Sequence, residues 1–109
     1  MKLEEGMYVR TKYGIITKVL DNRDNVIIKT DDYTTHLRSE VIKASHNIID
    51  LLEVGDVITT NNLCGEVTKI DIENNKIWIA CCDYETCRIE DVKSIVTKEQ
   101  MESMKYEVE

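Results

Sequence analysis

Four cysteines and two histidines, Cys64, Cys81, Cys82, Cys87, His36 and His46, are the side chains of this chain best suited to ligating a metal or attacking an electrophile. Structural zinc sites usually present their thiolates as paired C-x2-C knuckles, whereas the cluster here reads C-C-x4-C. On a hairpin centred on Tyr84, Cys81 and Cys87 become cross-strand neighbours, where small buried hydrophobes sit, and free cysteine packs well in such places. A nucleophilic thiol needs a histidine or a helix N-terminus to lower its pKa, and no such pairing is visible in the spacing. The paired acids Asp31-Asp32 and Glu90-Asp91 fall in turns, where carboxylates cap backbone amides and stay solvated. All four glycines are isolated, so no loop can cradle a phosphate. The expectation is a protein without catalytic residues, metal or cofactor, and not an enzyme.

The elements that carry these residues come twice. Leu3, Glu4, Gly6, Val9 and Thr11 align with Leu52, Glu53, Gly55, Ile58 and Thr60 at an offset of 49. After a two-residue insertion the offset becomes 51 and joins Gly14, Thr17, Lys18 and Val19 to Gly65, Thr68, Lys69 and Ile70. Asp32-Tyr33, Thr35 and Val41 then meet Asp83-Tyr84, Thr86 and Val92, which makes eleven identities in all. Such a pattern implies duplication. His36 takes the place of Cys87 in the other copy, so the two are expected to lie apart. Leu37 matches Ile89 at offset 52, so one hairpin should carry a bulge or a different turn length.

Each copy reads as short strands. In the second, VITT (57–60) precedes GEVTKIDI (65–72), Asn74-Asn75 suits the positive φ of a tight turn, and KIWIACC (76–82) alternates with period two. A return strand TCRI (86–89) and a closing strand at Ile95-Val96 complete the copy. The join SHNIIDLL is apolar and is expected to glue the copies together, on one helical turn capped by Ser45 or Asn47. Thr97 and Gln100 have the spacing of a capping box, Met101 and Met104 share one face, and Lys105–Glu109 alternates like an edge strand. The expected fold is all-β: two tandem small β-barrels of five short strands each, with a short C-terminal helix and terminal strand. Its parts are a first barrel at 1–45, an apolar join at 46–51, a second barrel at 52–96 and the appendix at 97–109.

Charge is unevenly spread. The formal net charge is −7, and residues 1–50 carry eight Lys/Arg against eight Asp/Glu whereas residues 51–109 carry six against thirteen. A chain of this kind lacks the broad basic surface that attracts nucleic-acid backbones, so any such contact must be local. No run approaches the roughly 20 apolar residues of a membrane helix, and MKLEEGMY places acids where a signal peptide has its apolar stretch. The expectation is a soluble cytoplasmic protein, with no membrane partner and its cysteines as thiols.

Two stretches carry a resemblance. GEVTKIDIENNKIWI, and less fully GIITKVLDNRDNVII, resembles the KOW-type segment of SH3-like barrels: a glycine, an apolar residue two on, a hydrophobic residue followed by Asp, a turn and an alternating strand. Over more of the chain, the order of NIIDLLEVGD and SIVTKEQMESMKYEVE after a glycine-led first barrel resembles small proteins encoded by phages and prophages of clostridia and related Gram-positive bacteria. That resemblance implies a phage setting, in which small acidic proteins inhibit host machinery, and it brings no catalytic residue.

Two binding surfaces follow. The second barrel presents Asp71, Glu73, Asp83, Glu85, Glu90 and Asp91 as an acidic face for a basic partner. Trp78 lies on the strand face opposite the expected core, where it is either covered by the C-terminal helix or stands as a hot spot. The expected function is protein–protein binding to a host or phage protein, with inhibition in the manner of a DNA mimic as one form of it. The alternative is an accessory nucleic-acid-binding module using Arg10, Lys12, Tyr13, Lys18, Tyr33, His36 and Arg38 of the first barrel. A third reading, a structural or regulatory module, dimerises through the edge strand at 105–109.

Overall fold

The computed structural model describes residues 2–31, 34–80 and 84–103, with Tyr84 described by its backbone alone. Tyr33, Cys81, Cys82, Asp83, Met104 and the expected strand at 105–109 lie outside the described residues. The chain forms two compact units, Met1–Leu51 and Leu52–Glu109.

In the first unit, apolar residues spaced for one sheet face produce β1 (Tyr8–Thr11), β2 (Ile16–Asp21), β3 (Ile27–Thr30) and β4 (Thr35–Leu37). A 3₁₀ turn at Arg38–Glu40 then leads to β5 (Val41–Ser45). All pairs are antiparallel, in the order β4-β3-β2-β1-β5. Val9, Val19 and Ile28 point inward with Leu3, and Val41 and Ala44 pack against them. Each such side chain contributes about 1.5–3 kcal/mol by leaving water.

Two bulges account for two exposed apolar side chains. Val19 pairs with Thr30 and Asp21 with Lys29, so Leu20 is the extra residue; Arg10 pairs with Lys43 and Thr11 with Val41, which leaves Ile42 unpaired. Both extra residues turn outward to solvent.

The other face of β1 is covered by a 3₁₀ turn at Ile48–Leu51. Its entry is held as a cap: Ser45 Oγ accepts from Asn47 N at 3.1 Å and donates to Asp50 Oδ2 at 2.6 Å, while Asn47 Oδ1 accepts from Ile49 N at 3.3 Å. Ser45 and Asn47 thus both serve the turn.

The second unit contains β6 (Val57–Thr59), β7 (Cys64–Asp71), β8 (Lys76–Ala80), β9 (Tyr84–Cys87), a 3₁₀ turn at Ile89–Asp91 and β10 (Ser94–Val96). The sheet order is β10-β6-β7-β8-β9, again a four-strand meander whose first strand also carries the unit's last. Among the described residues neither sheet closes on itself, because each order has two ends. Ile58, Val67, Ile77 and Ile79 are fully buried. Alternation along β8 therefore has its expected inward face, and Asn75 adopts φ +54° in the preceding turn.

The last hairpin departs from expectation. Ala80 pairs with Tyr84 and Ile77 with Cys87, so Cys87 faces Ile77 rather than Cys81, and the return strand starts at Tyr84. Ile89 belongs to the 3₁₀ turn because its N–H donates to Asn75 Oδ1 at 2.8 Å, a local bond that competes with the ladder.

Helix α1 (Lys98–Ser103) starts at a capping box: Thr97 Oγ1 accepts from Gln100 N at 3.3 Å, and Gln100 Oε1 accepts from Thr97 N at 3.0 Å. Fully buried Asp56 anchors it by accepting from Lys98 N at 2.9 Å and from Glu53 N at 2.8 Å. Lys98 Nζ also meets Glu53 Oε1 at 2.8 Å. No helix among the described residues is long and apolar enough to cross a membrane.

Candidate functional site

The acidic residues of the second unit gather around a short stitch between two turns. Asp71 ends β7 and opens the turn to β8; its Oδ1 accepts from Asn74 N at 3.3 Å and its Oδ2 from Asn74 Nδ2 at 2.7 Å. Asn75, the next residue, crosses to the 3₁₀ turn: its Nδ2 donates to Glu90 Oε2 at 2.8 Å while its Oδ1 accepts from Ile89 N. Asp91 Oδ2 accepts from Arg88 N at 3.3 Å, and Arg88 Nη1 lies 3.8 Å from Glu90 Oε1. Glu73 is exposed within the first of these turns.

These bonds favour the ionised carboxylates. Asp71 is held below the usual carboxylate range chiefly by the side-chain amide of Asn74, and Glu90 below its own by the side-chain amide of Asn75. Asp71, Glu73, Glu90 and Asp91 thus form an acidic rim around the two turns, in which Asp71 and Glu90 keep their charge further into acid than free carboxylates. Glu85 stands apart on edge strand β9, opposite Ile79 and exposed.

Trp78 is half-buried on the face of β8 opposite Ile77 and Ile79, between Lys69 of β7 and Thr86 of β9. Lys69 Nζ lies 4.7 Å and Lys76 Nζ 5.4 Å from the ring centroid, so two ammonium groups lie over the indole. The described anchors of α1 run to Glu53 and Asp56 instead.

Among the described basic residues of the first unit, Arg10 and Arg38 are committed to the fold. Arg10 is fully buried and its Nη1 donates to the Leu51 carbonyl at 2.9 Å, which removes it from any surface. The reason is the Ile48–Leu51 turn lying over β1, which needs a donor for its last carbonyl. Arg38 spends its guanidinium on the β2–β3 connection, with Nε donating to Asp24 O at 2.8 Å and Nη2 to Asn22 O. His36 Nε2 pairs with Thr34 Oγ1 at 2.9 Å. Lys12 and Tyr13 remain exposed on the β1–β2 loop, with Lys12 Nζ 5.2 Å from the Tyr13 ring; Lys18 instead covers its cross-strand partner Tyr8.

Among the described residues no three His, Cys, Asp or Glu side chains converge as metal ligands. Cys64 is exposed on β7, and Cys87 is half-buried with its thiol pushed above its usual range by burial and by the nearby Asp91 carboxylate. An activated nucleophile needs the opposite shift.

Asn75 and Asp56 are the residues whose roles sequence reasoning missed. Asn75 was legible as a turn former, but its reach to residues 89 and 90 depends on the fold. For Asp56 a signal existed: the aligned position in the first half is Met7, whose sulfur accepts from Glu4 N at 3.2 Å as Asp56 accepts from Glu53 N. A carboxylate stands only in the unit that appends a helix. In comparisons with protein-family models, curated proteins and solved structures, none matches this chain.

Proposed function

We propose that this protein is a non-enzymatic binding module made of two copies of one SH3-like unit, and that the second copy engages a basic protein surface through Asp71, Glu73, Glu85, Glu90 and Asp91. The observation that carries the reading is the reciprocal Asn75 stitch, which fixes the β7–β8 turn against the 3₁₀ turn and keeps Glu90 ionised. A rim preorganised in this way loses little entropy on binding and steers a positive partner electrostatically. The sheet order common to the two units, a meander whose first strand carries the last, supports the duplication. The raised pKa of Cys87 argues against catalysis by that thiol.

In the phage or prophage setting that the sequence resembles, the partner is a host or phage protein in the cytoplasm, and a fixed row of carboxylates suits occupation of a nucleic-acid channel in the manner of a DNA mimic. The test is affinity capture from nuclease-treated Gram-positive lysate, read by mass spectrometry. Wild-type protein is expected to retain a basic partner that Glu73→Lys, Glu85→Lys and Glu90→Lys together release. Capture unchanged by the triple variant sinks the rim, and capture that vanishes with nuclease shifts the reading to nucleic acid at Lys12 and Tyr13.

A further inference from the structure

Asp91 is the point where the rim turns into a concave site. A groove of about 250 Å³ opens beside it, lined by Thr60, Asn61, Asn62, Leu63, Thr86 and Cys87. Its outer wall is the β6–β7 loop, which is where the second half of the chain carries its two extra residues: four residues separate Thr60 from Gly65, against two between Thr11 and Gly14. The loop is held in shape by Thr60, whose Oγ1 accepts from Leu63 N at 2.9 Å and from Asn62 N at 3.2 Å, and whose N–H donates to Leu63 O at 2.7 Å.

The lining chemistry selects a ligand. Asp91 is the single charged lining residue, and its proximity to Cys87 registers in the thiol's upward shift. The amide oxygens of Asn61 and Asn62 and the hydroxyl of Thr86 are further acceptors, and Leu63 supplies apolar surface. No lining residue is basic, so the site disfavours anions. An aliphatic stem ending in a planar cation with several N–H donors satisfies all these groups at once. We infer that the groove between the inserted β6–β7 loop and Asp91 receives one arginine side chain of the basic partner. This rests on the rim reading and deepens it: the rim supplies attraction without sequence preference, and the groove supplies selection.

The experiment uses the full chain, two synthetic peptides rich in lysine and glycine, one with a central arginine and one with citrulline in its place, and backbone-amide NMR. Citrulline keeps the shape and loses the charge. The arginine peptide is expected to move the amide signals of Asn61, Asn62, Cys87 and Asp91 and to slow alkylation of Cys87, whereas the citrulline peptide moves only rim signals near Glu73 and Glu90. Asp91→Asn, which keeps an oxygen for the Arg88 N–H, should weaken the arginine peptide about tenfold or more and erase its groove shifts, while the citrulline peptide weakens far less, by the loss of one rim charge alone. Rim shifts from both peptides with the groove silent overturn the groove and leave the rim standing. Groove shifts without rim shifts do the reverse, and no shift from either peptide overturns both.

Discussion

At the scale of single residues, Gly65 and Asn75 set the tightest demands. A methyl group at Gly65 would stand 2.5 Å from both the Ala80 carbonyl oxygen and the Ile79 side chain, so β8 must move to admit it. Gly65→Ala should cost about 1–3 kcal/mol, measured by urea unfolding against Thr68→Ala as an exposed control on the same strand. Asn75→Ala removes both halves of the stitch. Because the folded pKa of Glu90 is depressed, its contribution to stability is present above its unfolded value and fades as pH falls through the lower folded value. In Asn75→Ala the Glu90 titration, followed by NMR, should move back up, and stability should become less sensitive to acid in that window. An unmoved Glu90 titration contradicts the role assigned to Asn75.

Elements explain what was readable in the chain and what was not. Alternation in KIWIA, the Asn74-Asn75 turn and the Thr97/Gln100 box are local signals, and the structure realises each within a few residues of the pattern that announces it. The burial of Arg10 was illegible because its acceptor, the Leu51 carbonyl, lies 41 residues away. The shifted hairpin at Tyr84–Cys87 failed for the same reason, since Ile89 is claimed by a side chain 14 residues earlier. Among the candidate site residues, Asp71, Glu90 and Asp91 were visible in the sequence as turn carboxylates but their hydrogen-bond partners were not, and the groove beside Asp91 depends on a loop whose visible mark was a gap in the repeat. The capping box makes a quantitative claim at this scale: Thr97→Ala should destabilise α1 by about 0.5–2 kcal/mol, seen as faster amide exchange across Lys98–Ser103. Asp56→Ala should loosen the same helix further, because it also strands the part-buried N–H groups of Glu53 and Lys98. Exchange unchanged in both variants means the helix is held by other contacts.

For the whole molecule, the excess of seven negative charges resides in the second half while the first is balanced. Association with a basic partner should therefore slow steeply as salt rises, with dissociation changing little, in stopped-flow measurements. A salt-independent association rate is incompatible with steering by the rim. The open end of the second sheet adds a consequence of another kind. Among the described residues no strand pairs with the outer side of β9, and exposed Glu85 is the charge stationed there. Such an edge is a template for self-assembly unless a charge repels its own copies. Glu85→Lys keeps that guard and should stay dispersed, whereas Glu85→Val removes it and should give concentration-dependent light scattering; on that outcome the carboxylate proposed to meet a partner is also the one that keeps the protein from polymerising with itself.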